Sequence, residues 1–175
     1  MKNLEPPDLH YLEAAHGWLG LDDPAEAEAE LQQISLARRV HPDVLQVRWQ
    51  IHARREQWPE CLDLAKSLTQ VEPERRFGWV HLAYSLHRLH RTDEAREILR
   101  YALDMFPANA TMAYYLARYC CSLGDLAEGH EWLERSLELT SRFADRERLV
   151  QRAMNEPDLL PLRAALANLR RALAE

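Results

Sequence analysis

The sequence predicts an all-α protein, a right-handed α-solenoid of antiparallel helical hairpins. Three observations predict it. Small and apolar residues recur at a step of 34: Ala15, Trp49, Ala83 and Ala117 form one column, and Ala27, Cys61, Ala95 and Gly129 a second. Leu31, Ala65, Leu99 and Leu133 form a third, and Ile34, Leu68, Ala102 and Ser136 a fourth. A fixed period of this length marks stacked helical units, each too small to bury its apolar face alone. Ala, Leu, Glu and Arg dominate, only 5 residues are Gly, and the alternation of strands is absent, all of which favours helix. Turn residues, chiefly Pro and Asp, punctuate the apolar segments.

The elements follow in order. Pro6 and Pro7 precede Asp8, a residue of N-cap type, so a first helix runs to about Leu19. Asp22-Asp23-Pro24 turns the chain, with Pro24 suited to the first turn of the second helix. His41-Pro42-Asp43 ends that helix and begins the third, and Trp58-Pro59-Glu60 makes the next inner turn. Glu72-Pro73 and Phe106-Pro107 separate the later hairpins, while Thr92-Asp93-Glu94 and Gly124-Asp125 mark the turns inside them. Short connections imply antiparallel neighbours. The expected units span about 8–41, 42–75, 76–109 and 110–141.

After Ser141 the period stops. A basic amphipathic helix is predicted from about Arg142 to Met154, interrupted by Glu156-Pro157-Asp158-Leu159-Leu160-Pro161-Leu162. A final helix, about Leu162 to Ala174, carries Leu162, Leu166, Leu169 and Leu173 on one face. Residues 142–175 are read as a helical cap of the same domain, covering the apolar face of the last unit. The other reading is that the Leu face binds a partner helix.

Trp79, Leu82, Ala83 and Leu86, followed by Ala95, Leu99, Ala102, Leu103 and Pro107, resemble the tetratricopeptide repeat, W-x2-L-G-x2-Y, then A-x3-F, then P. Leu116, Ala117, Gly124, Leu133 and Leu137 repeat the match. In the second unit Arg48 and Trp49 occupy the Leu-Gly pair, so the close helix approach which that pair permits is not implied there. The resemblance covers roughly Asp8 to Ser141. The tail also looks like that of many bacterial members of the family, with their Pro-Asp-Leu-x-x-Leu turn.

The resemblance implies a scaffold in which the first helix of each hairpin lines a concave groove. The implied peptide-binding residues are Gln50, Arg54, Tyr84, His87, Arg88, Tyr114 and Arg118. Arg presents a planar fork suited to carboxylates, and Tyr adds an apolar face with a polar tip. The expected ligand is a protein or peptide segment carrying an acidic group. The family's carboxylate clamp is not reproduced, because its positions hold Leu12, His16, Val47, Val80 and Tyr84. Leu9, Leu12 and Leu19 would lie exposed at the groove mouth. Either the N-terminal segment covers them or a second chain does, in a homodimer.

Net charge and composition narrow the function. The chain carries −6 overall, which disfavours nonspecific nucleic-acid binding. Residues 1–34 hold one basic residue against eight acidic ones, a solvated acidic end. No apolar run is long enough for a membrane span, residues 1–7 lack a signal-peptide profile, and three Cys without a paired framework fit reduced thiols. The expectation is a cytoplasmic protein.

His87 and His90 share a helix face, but nothing completes a metal site, and no metal or cofactor is expected. Cys120 and Cys121 lack the setting of a nucleophile. His41-Pro42-Asp43 matches the tripeptide of J-domain co-chaperones, yet the basic helix of that family is missing and this Pro begins a repeat. No phosphate loop or Ser elbow is present, so no enzyme is expected. The leading reading is a noncatalytic adaptor. The alternatives are a small acidic secretion-type chaperone and a homo-oligomeric assembly subunit.

Overall fold

The computed structural model describes residues 3–172, and the regular elements among them are helical. The α-helices are α1 Asp8–Gly20, α2 Pro24–Gln33, α3 Pro42–Arg54, α4 Trp58–Val71, α5 Arg76–Arg88, α6 Thr92–Met105, α7 Ala110–Ser122, α8 Leu126–Glu138, α9 Phe143–Met154 and α10 Arg163–Ala172. Short 3-10 segments lie at Leu36–Arg38 and Pro157–Leu162. Leu173 and Ala174, expected in the last helix, lie outside the described residues. No described helix is long and apolar enough to cross a membrane. The chain forms two compact units, Met1–Ser85 and Leu86–Glu175, and the division falls within α5.

Every residue of the four sequence columns is buried. The backbone repeats with the same step: Asp22, Glu56, His90 and Gly124 all have positive φ, at 62°, 54°, 59° and 91°. Each sits in the turn joining the two helices of a hairpin, where a left-handed residue ends the first helix. Only the last is Gly, so three L-residues hold a conformation that costs each of them roughly 1 kcal/mol.

In the first unit α1 packs on α2, α2 on α3, and α3 on α4. Asp23 caps α2 by accepting from the Ala25 and Glu26 amides at 3.1 Å, and Pro24 opens the helix as expected. Asp8 does not cap α1. Its carboxylate instead accepts from the Ser35 amide at 2.8 Å and hydroxyl at 2.7 Å, tying the start of α1 to the end of α2. These bonds, first the one from the amide, hold the Asp8 carboxyl below its ordinary value. His41 is buried and caps α3, its Nδ1 accepting from the Asp43 amide at 3.3 Å. That contact gives the His-Pro-Asp tripeptide a structural role.

The three leucines expected at the groove mouth differ in burial. Leu12 and Leu19 are buried in one cluster with Ala15, Ala27, Leu31 and Val47, and Leu9 packs against it half-buried. Leu4 joins the same cluster. The N-terminal segment folds over these side chains because burying Leu4 against them removes apolar area from water on both sides. Leu12 and Leu19 are thus closed within the first unit, while Leu9 keeps part of its surface.

Trp49, where the repeat usually carries Gly or Ala, does not hold α3 and α4 apart. Its indole points at α5, contacting His81 edge-on at 4.1 Å and donating to Ser85 Oγ at 3.2 Å. Its backbone carbonyl faces Cys61, whose Sγ lies 3.7 Å away. The small residue on α4 thus keeps the approach that the first helix alone would not have kept.

In the second unit α6 packs on α7 and α7 on α8. Asn109 caps α7 by accepting from the Met112 amide at 3.1 Å. Ser136 of α8 donates to the Ala110 carbonyl at 2.9 Å, which registers α8 against the start of α7. Gly129 is the tightest of the glycines. A Cβ there would collide with Cys121 Sγ and lie 3.2 Å from the Ala117 carbonyl oxygen.

Two substitutions test these constraints by thermal unfolding. Gly129→Ala is expected to destabilise by about 1 kcal/mol despite its helix-propensity gain, and Cys121→Ala in the same chain should recover most of that loss. Gly124→Ala meets open space, so its expected loss of roughly 1 kcal/mol comes from the positive φ alone.

Candidate protein-binding site

The sequence-predicted residues fall into both units. In the first, Arg54 is exposed, pairs with Asp22 and donates to the Leu19 carbonyl at 3.4 Å. Its fork is directed at its own α1–α2 turn. Tyr84 is half-buried in an aromatic group, edge-on to Trp49 at 6.2 Å and to Trp58 at 5.7 Å. Gln50 is half-buried on α3. His81, beside Trp49, is desolvated enough to fall to about 4 despite the Phe77 carbonyl that would favour its charge. It is therefore neutral, and this cluster works as packing.

The second unit departs most from expectation. Arg118, predicted as a groove cation, is only 7% exposed. Its guanidinium donates to Asp158 Oδ2 at 3.1 Å from Nε and 2.7 Å from Nη2, and Nη2 lies 2.8 Å from Glu156 Oε1. His87 stacks on Tyr119 at 4.7 Å, and its Nε2 lies 3.3 Å from the same Asp158 oxygen. Burial pushes the Asp158 carboxyl up, but the hydrogen bonds from His87 and Arg118 outweigh it and hold it below 3.8. Burial likewise opposes the Arg118 charge, and Asp158 and Glu156 override it. The acidic group these residues bind is supplied by the chain itself.

The same tail segment is anchored by packing. Leu159, Leu162 and Leu166 join Tyr114, Ala117, Cys121 and Leu133 in one buried cluster. Leu162 and Leu166 are thus closed to a partner helix. Tyr114 is also buried, at 1% exposure, and desolvation pushes its phenol up to about 12. Arg88 is exposed on the last turn of α5.

What stays open lies beside this covered turn. A cleft of about 270 Å³ is lined by Ala110, Thr111 and Tyr114 of α7, Ser136 of α8, Thr140, and Asp145, Arg148, Leu149 and Arg152 of α9. Arg152 holds its guanidinium 5.0 Å from the Tyr114 ring centre and 5.9 Å from that of Tyr115, and donates to the Tyr115 hydroxyl at 3.4 Å. A larger cleft of about 570 Å³ adjoins it through Arg148 and Arg152 and is completed by Glu147, Val150, Gln151, Asn155 and Arg170. Sequence reasoning missed these arginines because they follow the last repeat, where the period assigns no position. Their one sequence signal was the basic amphipathic character of 142–154.

Residues 86–153 match the family model of the tetratricopeptide repeat. Over 93% of its length the chain superposes on the crystal structure of TTC0263, a thermophilic TPR protein of Thermus thermophilus, with a TM-score of 0.69, 16% identity and 98% of that chain covered. MamA from Desulfovibrio magneticus RS-1 superposes over 98% of this chain and 96% of its own, with a TM-score of 0.70 and 14% identity. These likenesses establish the fold. The fold and the repeat thus define a helical-repeat protein of the kind that generally serves as a protein–protein interaction scaffold. Residues 86–153 carry the tetratricopeptide repeat, and the chain shares the fold of tetratricopeptide-repeat proteins. A stretch of 103 residues is 33% identical to protein FlbA of Caulobacter vibrioides, covering 59% of this chain and 17% of that protein.

The tail clamp is tested through stability. Arg118→Ala leaves Glu156 and Asp158 without their cation and should cost about 2 kcal/mol, less than a fully buried pair because Asp158 keeps some contact with water. Since the folded Asp158 carboxyl lies below its unfolded value of 3.8, its contribution is complete above that pH and is lost as pH falls through the folded value. Urea unfolding of the parent should therefore weaken in that acid window more than unfolding of Asp158→Asn.

Proposed function

We propose that the chain is a noncatalytic adaptor that holds an extended segment of a protein partner along α7, in the cleft completed by α8 and α9. One observation carries this reading. On the α7 face expected to line the groove, the tail covers the turn at Arg118, while Thr111 and Tyr114 still line an open cleft. Thr111 offers an exposed hydroxyl to a peptide backbone, and Arg152 an exposed cation held on two aromatic faces. In this reading residues 8–141 form four repeats and 142–175 their cap.

The thiols support a role without catalysis. Cys120 and Cys121 are buried, and desolvation pushes them up to about 12 and about 11, so neither supplies a thiolate. Free thiols also fit a reducing compartment such as the cytoplasm.

Thr111 is exposed on α7, so Thr111→Trp fills the cleft without disturbing the core. The expected outcome is a protein retained from lysate by the parent and lost by the variant, with unfolding free energies equal to within about 0.5 kcal/mol. Equal retention by both would sink the assignment of this cleft.

A further inference from the structure

We propose that the cleft between α9 and α10 is a carboxylate-binding subsite, formed by Arg148, Arg152 and Arg170, that takes acidic side chains of the partner segment. The inference rests on the adaptor reading and adds the chemistry of the partner. Three guanidinium groups line this cleft against one carboxylate, Glu147. Five other arginines of the second unit are committed to carboxylates: Arg91 to Glu94, Arg96 to Asp125, Arg100 to Glu128, Arg118 to Asp158 and Arg135 to Glu138.

Among the described residues Arg152 and Arg170 pair with no carboxylate. Arg152 contacts Tyr114 and Tyr115, and Arg170 contacts the Met154 sulfur at 3.9 Å. Arg148 pairs with Asp145 of the smaller cleft at 3.3 Å, with its own side chain 80% exposed.

Position favours a ligand that reaches both clefts. Arg148 and Arg152 line the smaller cleft on α7 as well as the larger one. An extended segment seated at Thr111 therefore passes the Arg152 guanidinium before it enters the larger cleft. The two tyrosine rings orient Arg152 before any ligand arrives, which lowers the ordering cost of a charge-assisted bond. The covered turn displays the same chemistry within the chain, where Arg118 holds Glu156 and Asp158. An acidic protein segment is thus the occupant that matches the cleft in charge, reach and donor geometry.

The test is fluorescence anisotropy with a labelled peptide of eight glutamates, titrated with the full chain, beside a peptide of eight glutamines. Saturable binding of the first alone is expected. Arg152→Gln should weaken it about tenfold, the loss of one charge-assisted bond, and Arg152→Lys should recover part of that loss. The double variant Arg142→Gln/Arg163→Gln removes equal or greater charge outside both clefts and should change affinity less than about twofold if the site is local. Equal weakening by this control, no effect of Arg152→Gln, or tighter binding of an eight-residue oligothymidylate would each overturn the subsite. Thr111→Trp separates the two readings. If partner capture survives that variant while Arg152→Gln still weakens the glutamate peptide, the α7 cleft fails and the subsite stands. If capture is lost but Arg152→Gln has no effect, the subsite fails alone.

Discussion

Close approach of paired helices at a small side chain is the constraint on which the rest of this molecule depends. Ala27, Cys61, Ala95 and Gly129 are all fully or nearly fully buried on the second helix of their hairpins. At Gly129 not even a Cβ is accommodated beside Cys121 and the Ala117 carbonyl. A helix backbone brought that near its neighbour turns its remaining apolar residues inward, as at Leu133 and Leu31. The α3–α4 pair shows which side of the contact matters. Trp49 takes the place of the small residue on the first helix, yet Cys61 on the second still meets the Trp49 carbonyl, because the indole leaves toward α5.

The tail obeys a different balance. Burying a Leu side chain contributes about 1.5–3 kcal/mol, and three of them, Leu159, Leu162 and Leu166, lie in the cluster on α7. A partly buried ion pair contributes less, since desolvation offsets most of its attraction. Packing therefore holds the tail in place. The Arg118 contacts to Asp158 and Glu156 set where along α7 it lies, because a buried guanidinium without a carboxylate would be costly.

Covering one turn of α7 has a functional consequence. It withdraws Arg118 from any partner and leaves an open cleft at Thr111 and Tyr114, bordered by arginines of α9. Arg118 is thus neutralised within the chain, while Arg152 on α9 stays exposed beside the cleft. The adaptor reading and its acidic partner both grow from that exchange.

The 34-residue columns were legible in the sequence because a helix pair has only one way to bury residues at that spacing, and every column member is buried. The Pro24 and His41-Pro42 helix starts were legible for a local reason, since Pro fixes φ and removes a donor at the first turn. The fate of the site was not legible. Arg118 and Asp158 stand 40 residues apart, Leu4 reaches the cluster of Leu12 and Leu19 from outside the period, and Arg152 finds Tyr114 from beyond the last repeat. Repetition and local propensity determine which helices form and which face each one buries. Where a non-repeating segment comes to rest depends on apolar area and on unpaired charge that only the packed helices create, so the tertiary structure alone decided which arginines are neutralised and which remain.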